Sequence, residues 1–450
     1  MENLANFIGA GLAIGLSGVG VAIGQGMLGK NAVEAMGKNK ELSSFLLTIT
    51  ILGIALVESA AIYGLVVAFK ILGIEDISMA ASVGAGLAIG LAGMGAGIGE
   101  GKLIAGAMTA ISNNPKIKGR LMAYMVLFVA LVEAAAIYGL VIAFKILGDS
   151  DFTNEAFVGM GLAVGLAGLG VAIGQGILAN RSMEVMSKQE SMIGFFLTIT
   201  ILGIALVESA AIYGLVVAFD IFGKELSLMA ATGSGFSIGL AGLGAGIGEG
   251  ILIAGALTAI SRNPKIKGKL LTFMVLFVAL VEVTAIYGLI ISFKISSDFN
   301  ASIDQLVYVG TGLAIGLAGL GVAIGQGNLA EKGLEVMGKN PSIIGFMLTV
   351  SILGVALVES AVIYALVVAF KILGASSTLS GLASVGAGLA IGFAGLGAGV
   401  GEGLLIKGAV KGINADPESK GKTLAFMVLF VALVEVVAIY GLLIAFKIIG

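Results

Sequence analysis

Apolar residues fill the chain in twelve long runs that are separated by short polar segments. Each run holds roughly 30 residues, whereas about 20 are enough for a helix to cross a bilayer. The runs come in pairs, and the four prolines lie inside the pairs, where a proline opens a helix without removing an interior hydrogen bond. This pattern predicts an all-α membrane protein with twelve transmembrane helices, arranged as six tandem helical hairpins.

The second run of each pair repeats nearly the same segment. LVESAAIYGLVVAF occupies Leu56–Phe69 and returns unchanged at Leu206–Phe219, with close variants in the other four pairs. The repeat unit is about 75 residues long, and a period of about 150 residues groups the units as odd and even members. The predicted hairpins are 1–75, 76–149, 150–224, 225–299, 300–375 and 376–450.

Composition narrows the class of protein further. Of the residues, 58% are hydrophobic and 12% are charged, against about 25% charged in soluble domains. The net charge of −2 and the absence of a basic tract argue against a nucleic-acid partner. Because the chain has neither Cys nor His, thiol chemistry, Fe–S clusters and the commonest metal ligand and general base are excluded. We expect no organic cofactor.

Basic residues predict the orientation of the hairpins in the membrane. Of the 25 Lys and Arg residues, all but six lie in the loops inside the hairpins or at the adjoining helix ends. The connections between hairpins also carry acids, among them Glu75, Asp149 and Asp151. By the positive-inside rule, a multi-pass protein of the cell membrane with cytoplasmic intra-hairpin loops and external termini is expected.

Small residues dominate the first helix of every unit. In unit one they form two nearly opposite stripes, one of which contains Gly11 and Gly15 and the other Gly20 and Gly24. Two opposed stripes predict a close helix neighbour on each side, and a row of such helices closes into a ring if the rotation per unit allows. The segment 24–29 also matches the dinucleotide fingerprint G-x-G-x-x-G, but it lacks the required βαβ context.

One glutamate lies about midway along every second helix. A carboxylate in hydrocarbon is costly, so it indicates function unless it only ties two helices together while protonated. Six equivalent copies without a basic partner in any span favour function. These glutamates are Glu58, Glu133, Glu208, Glu282, Glu359 and Glu435.

Further oxygen-bearing side chains accompany the glutamates. The first helices carry glutamine in odd units (Gln25, Gln175, Gln326) and glutamate in even units (Glu100, Glu249, Glu402). Odd units add a serine directly after the second-helix glutamate (Ser59, Ser209, Ser360), and every unit has a tyrosine nearby (Tyr63, Tyr138, Tyr213, Tyr287, Tyr364, Tyr440). Carboxylate, amide and hydroxyl oxygens together suit a hard cation such as Na⁺. Helix packing for the serines and interfacial anchoring for the tyrosines are the competing interpretations.

The glycine-rich first helix, the polar loop with N-P or N-N-P and the motif V-E-S-x-x-I-Y resemble the proteolipid c (or K) subunit of rotary ATPases of the F and V type. The resemblance covers the whole chain, six times over. It implies a rotor ring made of copies of the chain, which turns in the lipid bilayer against a stator a/I subunit and is gripped by central-stalk subunits. Each second-helix glutamate would carry one Na⁺ or H⁺.

In sodium-carrying relatives, Gln and Glu of one hairpin bind the ion with a backbone carbonyl and the hydroxyl of the Ser after the Glu of the next hairpin, while a Tyr hydrogen-bonds the carboxylate. Gln25, Glu58, Ser59 and Tyr63 occupy the matching positions in unit one. Even units have Ala134, Val283 and Val436 in place of the serine. Because neighbouring hairpins differ in parity, two classes of site are expected, Gln/Glu without a serine hydroxyl and Glu/Glu with one.

Two other functions remain possible from the sequence. Twelve helices and internal repeats also fit a secondary ion-coupled transporter, although such repeats usually build one central site from discontinuous helices. A structural membrane scaffold is the third possibility, but it would not need six buried acids.

Overall fold

A computed structural model describes residues 4–149, 152, 154–224 and 226–450. Asp151 therefore lies outside the described residues. Within them the chain is helical and contains no strand. The α-helices are α1 (Leu4–Lys38), α2 (Ser43–Leu72), α3 (Met79–Asn113), α4 (Lys118–Val132), α5 (Ala134–Leu147), α6 (Phe157–Lys188), α7 (Ile193–Phe222), α8 (Leu228–Arg262), α9 (Lys267–Ser297), α10 (Leu306–Lys339), α11 (Ile344–Gly374), α12 (Gly381–Ala415) and α13 (Lys420–Ile449).

Twelve helical spans are long and apolar enough to cross a membrane, which confirms the predicted all-α architecture. There are thirteen α-helices in the described ranges because the second span of the second hairpin is divided at Glu133. The Glu133 carbonyl accepts hydrogen bonds from the amides of both Ala136, at 2.9 Å, and Ile137, at 3.1 Å. The extra i→i+3 bond tightens one turn at this position, next to a candidate ion ligand.

Short 3₁₀ turns connect the two spans of each hairpin. Four of the six turns begin with a proline, which needs no amide hydrogen bond at that position. On the opposite side of the membrane, the even hairpins begin with a serine cap. The hydroxyls of Ser78, Ser227 and Ser380 accept hydrogen bonds from the amides three residues ahead.

The six hairpins form two layers. The first helices α1, α3, α6, α8, α10 and α12 lie side by side in chain order. The second helices form the other layer. Each packs against the first helix of its own hairpin, and all except α13 also pack against the first helix of the next hairpin. Every junction between two hairpins therefore contains helices from both hairpins.

Glycine lets neighbouring first helices approach to backbone contact. A Cβ added to Gly174 of α6 would lie 1.9 Å from the carbonyl oxygen of Gly246 in α8. On its other side α6 meets α3, where a Cβ on Gly176 would lie 2.3 Å from the oxygen of Gly99. Both faces of α6 are thus closed by neighbours, as the two opposed stripes of small residues predict.

Lysine–phenylalanine contacts link the hairpins in pairs near the intra-hairpin loops. In each case the lysine of an even hairpin lies over a phenylalanine ring of the preceding odd hairpin. The contacts, with ammonium-to-centroid distances, are Lys118 with Phe45 (4.7 Å), Lys267 with Phe195 (4.6 Å) and Lys420 with Phe346 (5.5 Å). This pairing matches the longer of the two sequence periods.

Candidate ion-binding sites

The second-helix tyrosines and glutamates meet across the junctions between hairpins. In each of five junctions the tyrosine hydroxyl of one hairpin donates a hydrogen bond to the glutamate carboxylate of the next. The pairs are Tyr63 with Glu133 (2.6 Å), Tyr138 with Glu208, Tyr213 with Glu282 (2.6 Å), Tyr287 with Glu359 (2.9 Å) and Tyr364 with Glu435 (2.6 Å). Each candidate site is therefore shared by two hairpins, with the tyrosine contributed by the earlier one.

The glutamines of the odd hairpins are held by backbone carbonyls of the second helix of the same hairpin. The Gln175 amide nitrogen donates to the Ile204 carbonyl at 3.1 Å, and Gln326 donates to the Val355 carbonyl at 3.2 Å. Gln25 makes the equivalent bond to Ile54, at 3.4 Å. The carbonyl oxygens of Gln175 and Gln326 are buried and accept no hydrogen bond from the described residues. They remain available as ligands.

Even hairpins place a second carboxylate at the same position. Glu100, Glu249 and Glu402 are fully buried in the first-helix layer. Neither carboxyl oxygen of any of the three has a hydrogen-bond partner among the described residues. A buried charge without a partner is strongly unfavourable, so each of these side chains needs a proton or a cation.

Serine hydroxyls accompany the sites of the even glutamates. Ser209 precedes Tyr213 by one helical turn, so both face the junction in which Tyr213 bonds Glu282. The hydroxyls of Ser209 and Ser360 are buried without a hydrogen-bond partner in the described part of the chain. Ser59 differs, because it donates to the Leu56 carbonyl at 2.8 Å.

The polar groups therefore alternate from junction to junction. Junctions at even glutamates combine two carboxylates, a tyrosine and a serine, as with Glu249, Glu282, Tyr213 and Ser209. Junctions at odd glutamates combine a glutamine, one carboxylate and a tyrosine, and Ala134 or Val283 stands at the serine position. This is the alternation expected from the sequence, and ion binding at these groups stays a prediction.

The structure also differs from an assignment in which all side chains of one site come from the same hairpin. Ser59 and Tyr63 occupy matching motif positions with Glu58, yet Tyr63 bonds Glu133 of the next hairpin. The backbone carbonyls that hold the glutamines cannot be identified from the sequence, because every residue carries one. Their position four residues before each second-helix glutamate is the only signal that could have indicated them.

One predicted site is only half assembled within the chain. Glu58 is exposed, and no tyrosine of the described residues donates a hydrogen bond to it. Tyr440 is 62% exposed, and its hydroxyl donates to no glutamate of the described residues.

The buried oxygens fit a small cation or a proton. Hydrogen-bond acceptors outnumber donors at the junctions. The tyrosine hydroxyls and glutamine amides of the described residues leave several carboxyl, amide and hydroxyl oxygens without a hydrogen bond. Oxygen-only coordination is the kind that hard cations prefer.

Comparison with known proteins identifies the family. The family of the ATP synthase C subunit matches six segments, 8–71, 83–146, 158–221, 232–295, 309–372 and 385–448. The K subunit of the A-type ATP synthase of Methanocaldococcus jannaschii is 36% identical over 222 residues, which are 48% of this chain and 94% of the relative. The chloroplastic ATP synthase c-type subunit of Galdieria sulphuraria is 42% identical over 79 residues, 18% of this chain and 95% of the relative.

The matched segments cover most of the chain, and each of them contains one second-helix glutamate. The membrane-spanning hairpins agree with this assignment, and a secondary transporter is not favoured. The chain therefore belongs to the family of the ATP synthase C subunit, as a c/K proteolipid of a rotary ATPase in which six hairpins are fused in tandem.

Proposed function

We propose that this chain forms the ion-carrying rotor ring of a rotary ATP synthase or ATPase and that each second-helix glutamate carries one cation. The observation that supports it most directly is the repeated tyrosine–glutamate hydrogen bond at five successive junctions, beside buried oxygens that lack donors. The bond holds the carboxylate in place while the cation is bound. Release requires the glutamate to turn away from its tyrosine, as it passes a stator a/I subunit.

Na⁺ is the cation that the side chains favour over H⁺. A proton needs one carboxylate oxygen, whereas the junctions add glutamine carbonyl and serine hydroxyl oxygens that would be unnecessary for it. At even junctions two carboxylates surround one cation. One Na⁺ leaves a surplus negative charge there, so a proton is bound with it.

Central-stalk subunits are proposed to bind the loops inside the hairpins. Most of the basic residues lie at this end, including Lys116, Lys118 and Arg120 in the second hairpin. The same charge bias supports cytoplasmic loops and external termini.

The first test is whether Na⁺ protects the glutamates from a carbodiimide, which reacts with the protonated carboxyl group. We expect Na⁺ to slow labelling at all six positions in the assembled ring, because bound Na⁺ keeps the carboxylate ionised and shielded. At a Na⁺ concentration of about 100 times the dissociation constant, the rate falls about 100-fold. Labelling that responds to pH but not to Na⁺ would identify H⁺ instead, and labelling that responds to neither would refute an ion site.

A second prediction concerns the extra carboxylate of the even junctions. Glu249→Gln gives that junction the Gln/Glu pair of an odd one, so one carboxylate still neutralises one Na⁺. We expect Na⁺ to continue to protect Glu282, and the proton bound with Na⁺ at this site to be lost. The measurement is labelling of Glu282 by mass spectrometry, with proton uptake followed in parallel.

The matched control is Glu282→Gln, which removes the carboxylate that accepts from Tyr213. One carboxylate remains in this variant too, but it lacks the hydrogen bond from Tyr213 that holds Glu282 in place, so we expect Na⁺ to protect Glu249 only at a higher concentration than it needs to protect Glu282 in the Glu249→Gln variant. If Glu249→Gln itself abolished protection of Glu282 in an assembled ring, the second carboxylate would be a required ligand.

A further inference from the structure

The even junctions hold more negative charge than one monovalent cation balances. Glu249 of α8 is fully buried, and neither of its carboxyl oxygens has a hydrogen-bond partner in the described ranges. A Cβ on Gly248, the residue before it, would lie 3.2 Å from the side chain of Val281, the residue before Glu282. Packing of α8 against α9 thus brings the two glutamates to one place, where they carry two negative charges when both are ionised.

The same contact recurs at the other even junctions. A Cβ on Gly99 would lie 3.2 Å from the side chain of Val132, and a Cβ on Gly401 would lie 3.3 Å from that of Val434. Because a glutamate follows each of these residues, two more carboxylate pairs are formed in the same way, Glu100 with Glu133 and Glu402 with Glu435.

A serine hydroxyl accompanies the carboxylate pair. The Ser209 hydroxyl is buried and has no hydrogen-bond partner among the described residues. It lies one helical turn from Tyr213, whose hydroxyl donates to Glu282 at 2.6 Å. Ser209 is therefore free to offer its oxygen to an ion held between the two carboxylates.

A backbone carbonyl is also released at the even junctions. In the odd hairpin the Gln175 amide donates to the Ile204 carbonyl at 3.1 Å. Val278 stands at the position of Ile204 in the following even hairpin, and Glu249 has no amide group to bond its carbonyl. With four carboxyl oxygens and the Ser209 hydroxyl, this carbonyl makes six candidate oxygen ligands in the even junction.

Ca²⁺ fits this set of oxygens by charge and by coordination. Two positive charges balance two carboxylates without a bound proton, which one Na⁺ does not do. Ca²⁺ takes about six to eight oxygen ligands in flexible geometry, whereas Mg²⁺ gives up its water reluctantly. An added Cβ on Gly248 would lie 2.2 Å from the Ala323 carbonyl oxygen, so the tightly packed helices favour an ion that sheds its water.

The odd junctions lack this match. They contain one carboxylate, and the glutamine that replaces the second one is neutral. A divalent cation would leave one positive charge buried there without a counter-charge, which is strongly unfavourable. The difference between the two classes is therefore decided at one position of the first helix, by Gln175 in one class and Glu249 in the other.

We propose that the even junctions are calcium sites, each of which binds one Ca²⁺ in place of Na⁺ and a proton, whereas the odd junctions take monovalent cations alone. The inference rests on the proposed ion-carrying function of the same residues. Ca²⁺ thereby competes with the transported ion at every second junction.

The test measures carbodiimide labelling of each glutamate by mass spectrometry, in the assembled enzyme without Na⁺ and with increasing Ca²⁺. Cleavage after lysine places Glu282 in peptide 270–294 and Glu208 in peptide 189–224. At a Ca²⁺ concentration that slows labelling of Glu282 about tenfold, labelling of Glu208 should change less than about twofold. Mg²⁺ at the same concentration is the control ion and should leave both rates unchanged.

Two reciprocal variants assign the effect to one position. Glu249→Gln should abolish protection of Glu282 by Ca²⁺, while Na⁺ still protects it. Gln175→Glu gives an odd junction a second carboxylate, so labelling of Glu208 should become sensitive to Ca²⁺. If the first variant kept the calcium effect, or the second failed to gain it in an assembled ring, the second carboxylate would not determine calcium binding and the proposal would fail.

The outcomes for the two ions separate this proposal from the rotor function. Equal protection of Glu208 and Glu282 by Ca²⁺, or protection of neither, would refute the calcium sites, and protection of both by Na⁺ would leave the rotor function standing. If labelling responded to neither cation nor to pH, the proposed ion-carrying function itself would fail.

Discussion

Replacing Glu208 with glutamine is expected to reduce ATP-driven ion transport to less than about a tenth of the unmodified rate. An amide cannot balance the charge of a bound cation, so this junction no longer binds and releases one. If the six sites worked independently, the loss of one would leave about five sixths of the activity. A rotor must pass every site in turn, and a single inactive junction therefore stops all of them.

The measurement is Na⁺ uptake by vesicles that contain the complete enzyme, with ATP hydrolysis followed in the same preparation. Glu75→Gln is the control, because Glu75 is exposed in the connection between the first two hairpins, away from the ion sites and from the loops that are proposed to bind the stalk. Its transport rate should be unchanged. A Glu208→Gln enzyme that assembles normally and keeps most of its transport would contradict sequential use of the sites.

Replacing Gly174 with leucine is expected to prevent assembly of a stable ring. An added Cβ would lie 1.9 Å from the carbonyl oxygen of Gly246 and 2.7 Å from its carbonyl carbon. These are backbone atoms of a packed helix, so they cannot move aside as a flexible side chain would. Overpacking costs about 1–3 kcal/mol in ordinary cores, and contact with backbone places this change at or above the upper end.

The loss of ring stability is measured as a fall in the temperature at which the purified ring dissociates in detergent. Gly194→Leu is the control, since Gly194 lies in the same hairpin and has no atom within 4 Å of an added Cβ. Its ring should dissociate near the unmodified temperature. Equal stability of the two variants would show that close approach of α6 and α8 is not needed for assembly.

Much of the fold follows from the sequence alone. The long apolar runs predict membrane-spanning helices, and the prolines mark the loops between them. The small residues on two faces of the first helices then predict that six hairpins pack side by side. The alternation between Gln175 and Glu249 is equally visible in the sequence, because these side chains stand at the same position of the repeat.

The neighbour that completes each site could not be predicted from the sequence. Either direction along a row of similar hairpins satisfies the same pattern. The direction is set by the packing of a second helix against the first helix of the following hairpin. This packing brings Tyr63 to Glu133. The break at Glu133 is equally hidden in the sequence, since its residue types differ little from those at Glu208, where the helix continues.

The fusion of six hairpins in one polypeptide sets how such a rotor can change over evolution. A ring of separate hairpins can gain or lose one hairpin at a time, whereas a ring made only of this chain gains or loses six hairpins at once. The number of hairpins in such a ring, and with it the proposed number of ions per turn, is therefore a multiple of six. Because each hairpin of the fused chain is encoded separately, a mutation can alter one site without altering the other five.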